Sequence, residues 1–184
     1  MDAAITDLPK PVAELVTVLA AMPGAVAVAL GGSRALGVSD ADGDWDFGLY
    51  YRGTIDLAAL TARGTVHPPG AWGRLLNGGA FLRCGAAKVD VGLRDLDAVE
   101  HWTRCAGQGE FAVDHMLGFV AGLPTYLLAA EVGSCRIVWG SLPAAPFPAK
   151  LAAAALAAVS VVQPRLLPRT RPAGKLRRGG RAGS

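Results

Sequence analysis

The sequence has few cysteines, and those it has are far apart. Cys84, Cys105 and Cys135 are odd in number and widely spaced. A zinc knuckle or a dithiol redox motif needs closely spaced cysteine pairs, so the sequence excludes both, and we expect free thiols. Long apolar runs are also missing, because no stretch reaches the roughly 18 uninterrupted apolar residues of a membrane-spanning helix.

The first ten residues are not expected to form a secretory signal. The opening segment MDAAITDLPK carries acids where a signal peptide needs positive charge. We therefore expect a cytoplasmic protein without a membrane partner. Apolar residues make up 52% of the 184 residues, which is enough to build one substantial core.

Acidic residues are absent from residues 161–184, which hold seven of the 18 basic residues. Subtracting those seven leaves 11 basic residues against all 15 acids in residues 1–160, a net charge of −4. The net charge of +3 therefore comes from the basic residues near the C-terminus. Residues 163–184 are rich in Pro, Arg and Gly, and we expect a disordered basic tail. Such a tail is more often simply unstructured than a binding segment, and it is the only part of the chain whose charge would suit nucleic acid.

The apolar periodicity of the remaining chain predicts both helices and strands. We predict helices over residues 11–22, 57–62, 95–105, 110–120, 124–135 and 149–162. We predict strands over residues 25–30, 44–51 and 136–140, and a pair of strands over 80–93. A loop rich in Pro and Gly is predicted over residues 65–73.

Four aspartates alternate with other residues just after a Gly-Gly turn: Asp40, Asp42, Asp44 and Asp46. The first two precede the predicted strand, and we expect them in a loop. Asp44 and Asp46 alternate with aromatic residues on the strand, so both carboxylates lie on one face, about 7 Å apart along the backbone. Like charges repel unless a cation lies between them, and carboxylate oxygens suit Mg²⁺ or Mn²⁺.

The turn before these acids has the residues of a phosphate-binding site. Gly31 and Gly32 let the backbone approach a ligand closely, and Ser33 is expected to cap a short helix whose N–H groups attract anions. Asp90 stands in a later apolar strand, between valines that face the other side, and is the best candidate for a third metal ligand. Together these residues indicate a site for a metal-bound phosphate group.

Three other motifs for metal or phosphate are excluded. An EF-hand loop starting at Asp40 needs Gly and Glu where this chain has Trp45 and Tyr51. The segment GGSRALG lacks the lysine of a P-loop and the glycine spacing of a Rossmann fingerprint. A plainer interpretation stays open: an acidic surface loop, followed by a strand whose acids face water.

The segments GGSRALG, DWDFGLYY and KVDVGL together resemble the nucleotidyltransferase superfamily typified by DNA polymerase beta and the aminoglycoside nucleotidyltransferases. The resemblance runs from about Val26 to Asp90, and LNGGAFL, LRDLDAVEHW and YLLAAEVGSCRIVWG resemble an uncharacterised bacterial branch of it. It implies an α/β (α+β) fold of the polymerase beta type, with a mixed sheet and flanking helices. The implied organisation is a catalytic domain over residues 1–105 and a short helical region over 106–162.

The same resemblance implies a metal-dependent transfer of a nucleoside monophosphate from a nucleoside triphosphate, such as ATP, to an acceptor hydroxyl, with release of pyrophosphate. The residues that would hold the triphosphate are Gly31, Gly32, Ser33 and Arg34. Asp44 and Asp46 would bind both Mg²⁺ or Mn²⁺ ions, and Asp90 would bind the catalytic one. The acceptor stays open between a small molecule, an RNA end and a protein side chain. The alternative is a non-catalytic nucleotide-binding or regulatory module of the same fold.

Glu131 has two interpretations. It lies in an apolar predicted helix, where it is either an accessory base facing the cleft or a structural residue paired with Arg136 or another partner. The four tryptophans are expected in the core.

Overall fold

A computed structural model describes residues 7–40, 43–116, 119–143, 148–151 and 154. The predicted tail, most of the predicted helix over 149–162 and Asp42 lie outside these described residues. No helix within the described ranges is long and apolar enough to cross a membrane.

Helices and strands are interspersed along the chain. The helices are α1 (Lys10–Ala20), α2 (Gly32–Ala35), α3 (Gly73–Leu76), α4 (Leu96–Gln108) and α5 (Leu127–Ser134), with a 3₁₀ helix over Ala58–Arg63. The strands are β1 (Ala25–Leu30), β2 (Trp45–Tyr51), β3 (Gly64–His67), β4 (Gly78–Cys84), β5 (Ala87–Asp95), β6 (Val113–Met116), β7 (Phe119–Pro124) and β8 (Arg136–Gly140).

Six strands form one mixed sheet in the order β3-β4-β5-β2-β1-β8, and β6 pairs with β7 in a separate two-stranded sheet. The central pair β2 and β5 is parallel, while the other neighbouring pairs of the six-stranded sheet are antiparallel. The predicted mixed α+β class is confirmed. Because β2 and β5 run in the same direction, their first residues meet at the same end of the sheet.

The main core lies between α1 and one face of this sheet. The apolar stripe of α1 is fully buried: Val12, Leu15, Val16 and Leu19. Phe47, Leu49, Val89 and Val91 belong to the same core and alternate along β2 and β5. Each such side chain contributes roughly 2 kcal/mol when it is removed from water. Since strand side chains alternate, the intervening residues of β2 and β5 project from the opposite face.

The Asp95 side chain caps α4 as predicted, accepting a hydrogen bond from the Asp97 N–H at 3.0 Å. In contrast, the helix predicted over 110–120 is wrong, because the segment contains β6 and the start of β7. The Thr125 hydroxyl accepts from the Ala112 N–H at 3.1 Å, and the Thr125 N–H donates to the Ala112 carbonyl at 2.9 Å. These two bonds close the base of the hairpin and favour strands over a helix.

One strand of the main sheet was not predicted, and the strand predicted over residues 136–140 is present as β8. The predicted loop over 65–73 contains most of β3, which pairs with β4 at the edge of the sheet. The described part of residues 106–162 is not wholly helical, because β8 joins the main sheet beside β1.

Candidate active site

The structure places Asp46 and Asp90 side by side on two parallel strands. They are register partners in the β2–β5 ladder, so both side chains leave the sheet on the face opposite α1. Both are partly buried, and both line a cleft of about 330 Å³. The candidate third ligand Asp90 therefore lies on the strand next to Asp46 and on the same face of the sheet.

Asp44 lies one residue before β2 and is exposed. Its Oδ1 is 3.7 Å from the Nζ of Lys88. Lys88 precedes Asp90 by two residues, as Asp44 precedes Asp46 by two, so the parallel register puts the pair next to each other. Sequence reasoning missed Lys88, although its two-residue spacing from Asp90 indicates the same face of β5.

The ionisation of Asp46 and Asp90 is affected by burial and by the charges around them. Burial raises the pKa of Asp46, the charge of Asp44 raises it further, and Arg34 opposes both effects. Burial also raises the pKa of Asp90, with contributions from Asp46 and Asp44, while Lys88 opposes the increase. A positive charge near these groups would therefore favour their ionised forms.

The chemistry of these oxygens fits a divalent cation, because Mg²⁺ and Mn²⁺ prefer carboxylate ligands. Within the part of the chain that the structure describes, however, no three His, Cys, Asp or Glu side chains are arranged as a set of metal ligands. Asp44 is paired with Lys88 instead. A cation held by Asp44 and Asp46 would have to compete with that lysine.

Replacing Lys88 with Gln should strengthen Mg²⁺ binding by up to about fivefold, because an exposed pair of this kind is worth about 1 kcal/mol or less. Titration calorimetry with Mg²⁺ measures the change. Lys10→Gln is the matched control, since Lys10 begins α1 on the other side of the sheet. An equal effect of both substitutions would show that Lys88 acts only through the net charge.

The glycine turn lies directly against Asp46. The Gly31 N–H donates to the Asp46 carbonyl at 2.7 Å, and both glycines of the turn line the cleft. Gly32 has a φ of +60°, and a Cβ on it would overlap Oδ2 of Asp46. The positive φ favours glycine at this position, and a larger residue would displace the Asp46 carboxylate.

Ser33 does not cap the short helix, contrary to the prediction. Gly31 occupies the N-cap position of α2, without a side-chain cap, and Ser33 is the second helical residue. The reason is the hydrogen bond from Gly31 to β2, which keeps Gly31 extended and lets the helix begin at Gly32. The Ser33 side chain is exposed.

Arg34 holds the segment that leads into β2. Its Nη2 donates to the Gly43 carbonyl at 2.6 Å, and its Nε lies 3.2 Å from the Asp44 carbonyl oxygen. The guanidinium carbon lies 4.2 Å from the centroid of the Trp45 ring. Arg34 thus holds the backbone that positions Asp44.

An ion pair lines the other end of the cleft. The Arg94 Nε and Nη2 atoms donate to the two carboxylate oxygens of Glu131 at 2.6 and 2.8 Å. Burial lowers the pKa of Arg94, but the hydrogen bond and charge of Glu131 more than offset this, and the pKa is raised overall. The structural interpretation of Glu131 is supported, with Arg94 as its partner instead of Arg136.

Removing Glu131 should destabilise the fold, because it leaves the Arg94 guanidinium without its carboxylate. The Arg94 side chain is only 11% exposed, so Glu131→Ala should cost about 3 kcal/mol of unfolding free energy. Glu100→Gln is the control. It removes a carboxylate from a pair with Arg52, whose side chain is 43% exposed, and should cost less than about 1 kcal/mol. Urea unfolding measures both, and equal losses would contradict the structural role of the Arg94 pair.

Comparison with known proteins finds neither a matching family model nor a matching curated protein. We therefore infer function from the site itself. Its main features are two register-paired carboxylates, a glycine turn against one of them, and a cleft that contains both.

Proposed function

We propose that the protein is a metal-dependent nucleotidyltransferase with a fold of the polymerase beta type. The observation that carries this proposal is the pairing of Asp46 with Asp90 across parallel strands, beside the glycine turn. The glycine turn would then bind the phosphates, and the carboxylates would bind the metal ions in the same cleft. Transfer from a metal-bound triphosphate requires both.

In this proposal the turn residues Gly31 and Gly32 hold the triphosphate through their backbone, with Ser33 and Arg34 nearby. Asp44 and Asp46 would hold both divalent cations, and Asp90 would hold the catalytic one and help to activate the acceptor hydroxyl. When bound, Mg²⁺ neutralises charge on the phosphates and on the attacking and leaving oxygens. The acceptor hydroxyl gives its proton to the Asp90 carboxylate and its oxygen bonds to the α-phosphorus, while the bond from the α-phosphorus to the oxygen that bridges it to the β-phosphate breaks and pyrophosphate leaves.

A non-catalytic nucleotide-binding module is the second candidate. The pairing of Asp44 with Lys88 favours this candidate, because the lysine ammonium group then neutralises part of the negative charge that a metal ion would otherwise neutralise. The presence of all three carboxylates favours the enzyme, since a binding module has no need for Asp90.

Incubation with each α-labelled nucleoside triphosphate, Mg²⁺ and a cell extract tests the proposal. We expect one class of molecule in the extract to acquire label only when the protein and Mg²⁺ are both present. Tight nucleotide binding without any labelled product would support the non-catalytic module instead.

A further inference from the structure

Three aromatic side chains form a cluster beyond β5, beside the cleft. The ring centroids of His67 and Trp72 are 5.1 Å apart, those of Trp72 and Phe81 are 5.5 Å apart, and those of His67 and Phe81 are 5.8 Å apart. Trp72 and Phe81 line the same cleft as Asp46 and Asp90. Trp72 therefore departs from the expectation that all tryptophans lie in the core.

Phe81 is placed next to Asp90 by the register of the sheet. The two residues are partners in the β4–β5 ladder, and directly opposite side chains have Cβ atoms about 5 Å apart. Phe81 is 50% exposed, whereas Ala80 and Leu82 on either side of it are buried in the core. The ring therefore lies on the cleft face, where a ligand could cover it.

Trp72 is held in place by its neighbours. Its indole ring covers the backbone of Gly79, where an added Cβ would lie 2.6 Å from the ring. The Trp72 backbone N–H also donates to the Asn77 carbonyl at 3.1 Å. The aromatic cluster is thus preorganised, which lowers the entropy lost when a flat ligand binds to it.

Two basic residues continue the cleft face along β4 and β5. Arg83 follows Phe81 by two residues, Lys88 precedes Asp90 by two, and these cations are exposed register partners. Two residues along a strand span roughly 7 Å, which is comparable with the separation of a base from the phosphate of its own nucleotide. An aromatic surface with cations at this spacing fits a nucleotide, whose base stacks while its phosphate pairs with Arg83.

We infer that His67, Trp72 and Phe81 form the acceptor subsite and that the acceptor is a nucleotide. Its base stacks on this aromatic cluster, its phosphate contacts Arg83, and its hydroxyl lies beside Asp90. That this subsite binds the acceptor rests on the proposed function. The aromatic and basic side chains identify the acceptor as a nucleotide. A free nucleotide and the end of an RNA chain share this chemistry.

Calorimetric titration of the metal-free protein with AMP tests the subsite. Phe81→Ala should weaken AMP binding about tenfold, because base stacking on an aromatic side chain is lost, while Phe81→Tyr should bind like the original chain. Arg83→Gln should weaken binding and reduce its salt dependence. Val113→Ala is the control, since Val113 is 45% exposed but lies in β6 outside the main sheet.

Equal affinity for AMP in Phe81→Ala and the original chain would overturn the inference, as would equal affinity for ribose 5-phosphate and AMP. An adenosine hexanucleotide that binds more tightly than AMP, with the same dependence on Phe81, would identify an RNA end. Equal affinities of the two would identify a free nucleotide.

The failure of this inference can be separated from that of the proposed function. If the labelled acceptor has no base, and Phe81→Ala transfers label to it as fast as the original chain, the proposed subsite is wrong and the transferase proposal still holds. Phe81-dependent binding of AMP, in a protein that transfers no label, would retain the nucleotide site and overturn the transferase.

Discussion

Asp46→Asn is expected to abolish nucleotide transfer, with a loss of roughly a thousandfold or more, while the fold is retained. Asp46 lies in the cleft between the glycine turn and Asp90, so its carboxylate has the most central position among the three acids. Asn keeps the shape but removes the charge that a divalent cation needs. Initial rates of pyrophosphate release measure the effect.

Asp40→Asn is the matched control for this experiment. Asp40 is exposed in the segment before β2, and the same change there should leave the rate within about twofold, because isolated surface charges interact weakly with a site. Unchanged transfer by Asp46→Asn would contradict the mechanism. A similar loss in both variants would indicate a general effect of negative charge.

Asp46→Asn should also stabilise the metal-free protein at neutral pH. Burial and the charge of Asp44 raise the pKa of Asp46 above its ordinary 3.8. A carboxyl with a raised pKa in the folded state favours folding at low pH, and this contribution is lost as the pH rises through the folded-state pKa. The gain from Asn should therefore be present at pH 7 and vanish near pH 3, as measured by urea unfolding at both values. Saturating Mg²⁺ should reverse the sign at pH 7, because the original chain binds the cation more tightly.

Gly32→Ala is expected to reduce transfer roughly a hundredfold, because it displaces a carboxylate that must be held in place. A Cβ on Gly32 would overlap the Asp46 carboxylate, and the φ of +60° is unfavourable for alanine. The substitution should also lower the free energy of unfolding by about 2 kcal/mol. Transfer rates and urea unfolding measure these two effects separately.

Gly37→Ala is the control for Gly32→Ala, because it introduces the same backbone strain without any overlap with the Asp46 carboxylate. Gly37 has a φ of +71°, but nothing lies within 4 Å of an added Cβ. This variant should lose about 1 kcal/mol of stability and keep its transfer rate. If Gly32→Ala behaved in the same way, the contact between the turn and Asp46 would be irrelevant to function.

The sequence was most informative where short-range patterns determine structure. The helical repeat from Val12 to Leu19 predicted α1, and the alternation of acids with aromatics predicted β2 and its two faces. Asp90 was found in the same way, because it is an acid flanked by buried valines. These features depend on local periodicity, which can be read without knowing which strands pair.

Contacts between distant segments were not predictable from such patterns. The pairs Asp44–Lys88 and Arg94–Glu131 depend on the parallel register of β2 and β5 and on the position of α5. The β6–β7 hairpin was mistaken for a helix because its short apolar segments do not distinguish the two structures. The contact of Phe81 with the cleft likewise needs the antiparallel register of β4 and β5.

The position of the transferred label tests the central claim most directly. Parallel incubations with Mg²⁺, a cell extract and a nucleoside triphosphate labelled at either the α- or the γ-phosphate distinguish nucleotidyl from phosphoryl transfer. We expect the α-label on the acceptor, the γ-label in pyrophosphate, and neither reaction with Asp90→Asn. Transfer of the γ-label to the acceptor, or undiminished α-label transfer by Asp90→Asn, would contradict the proposed function.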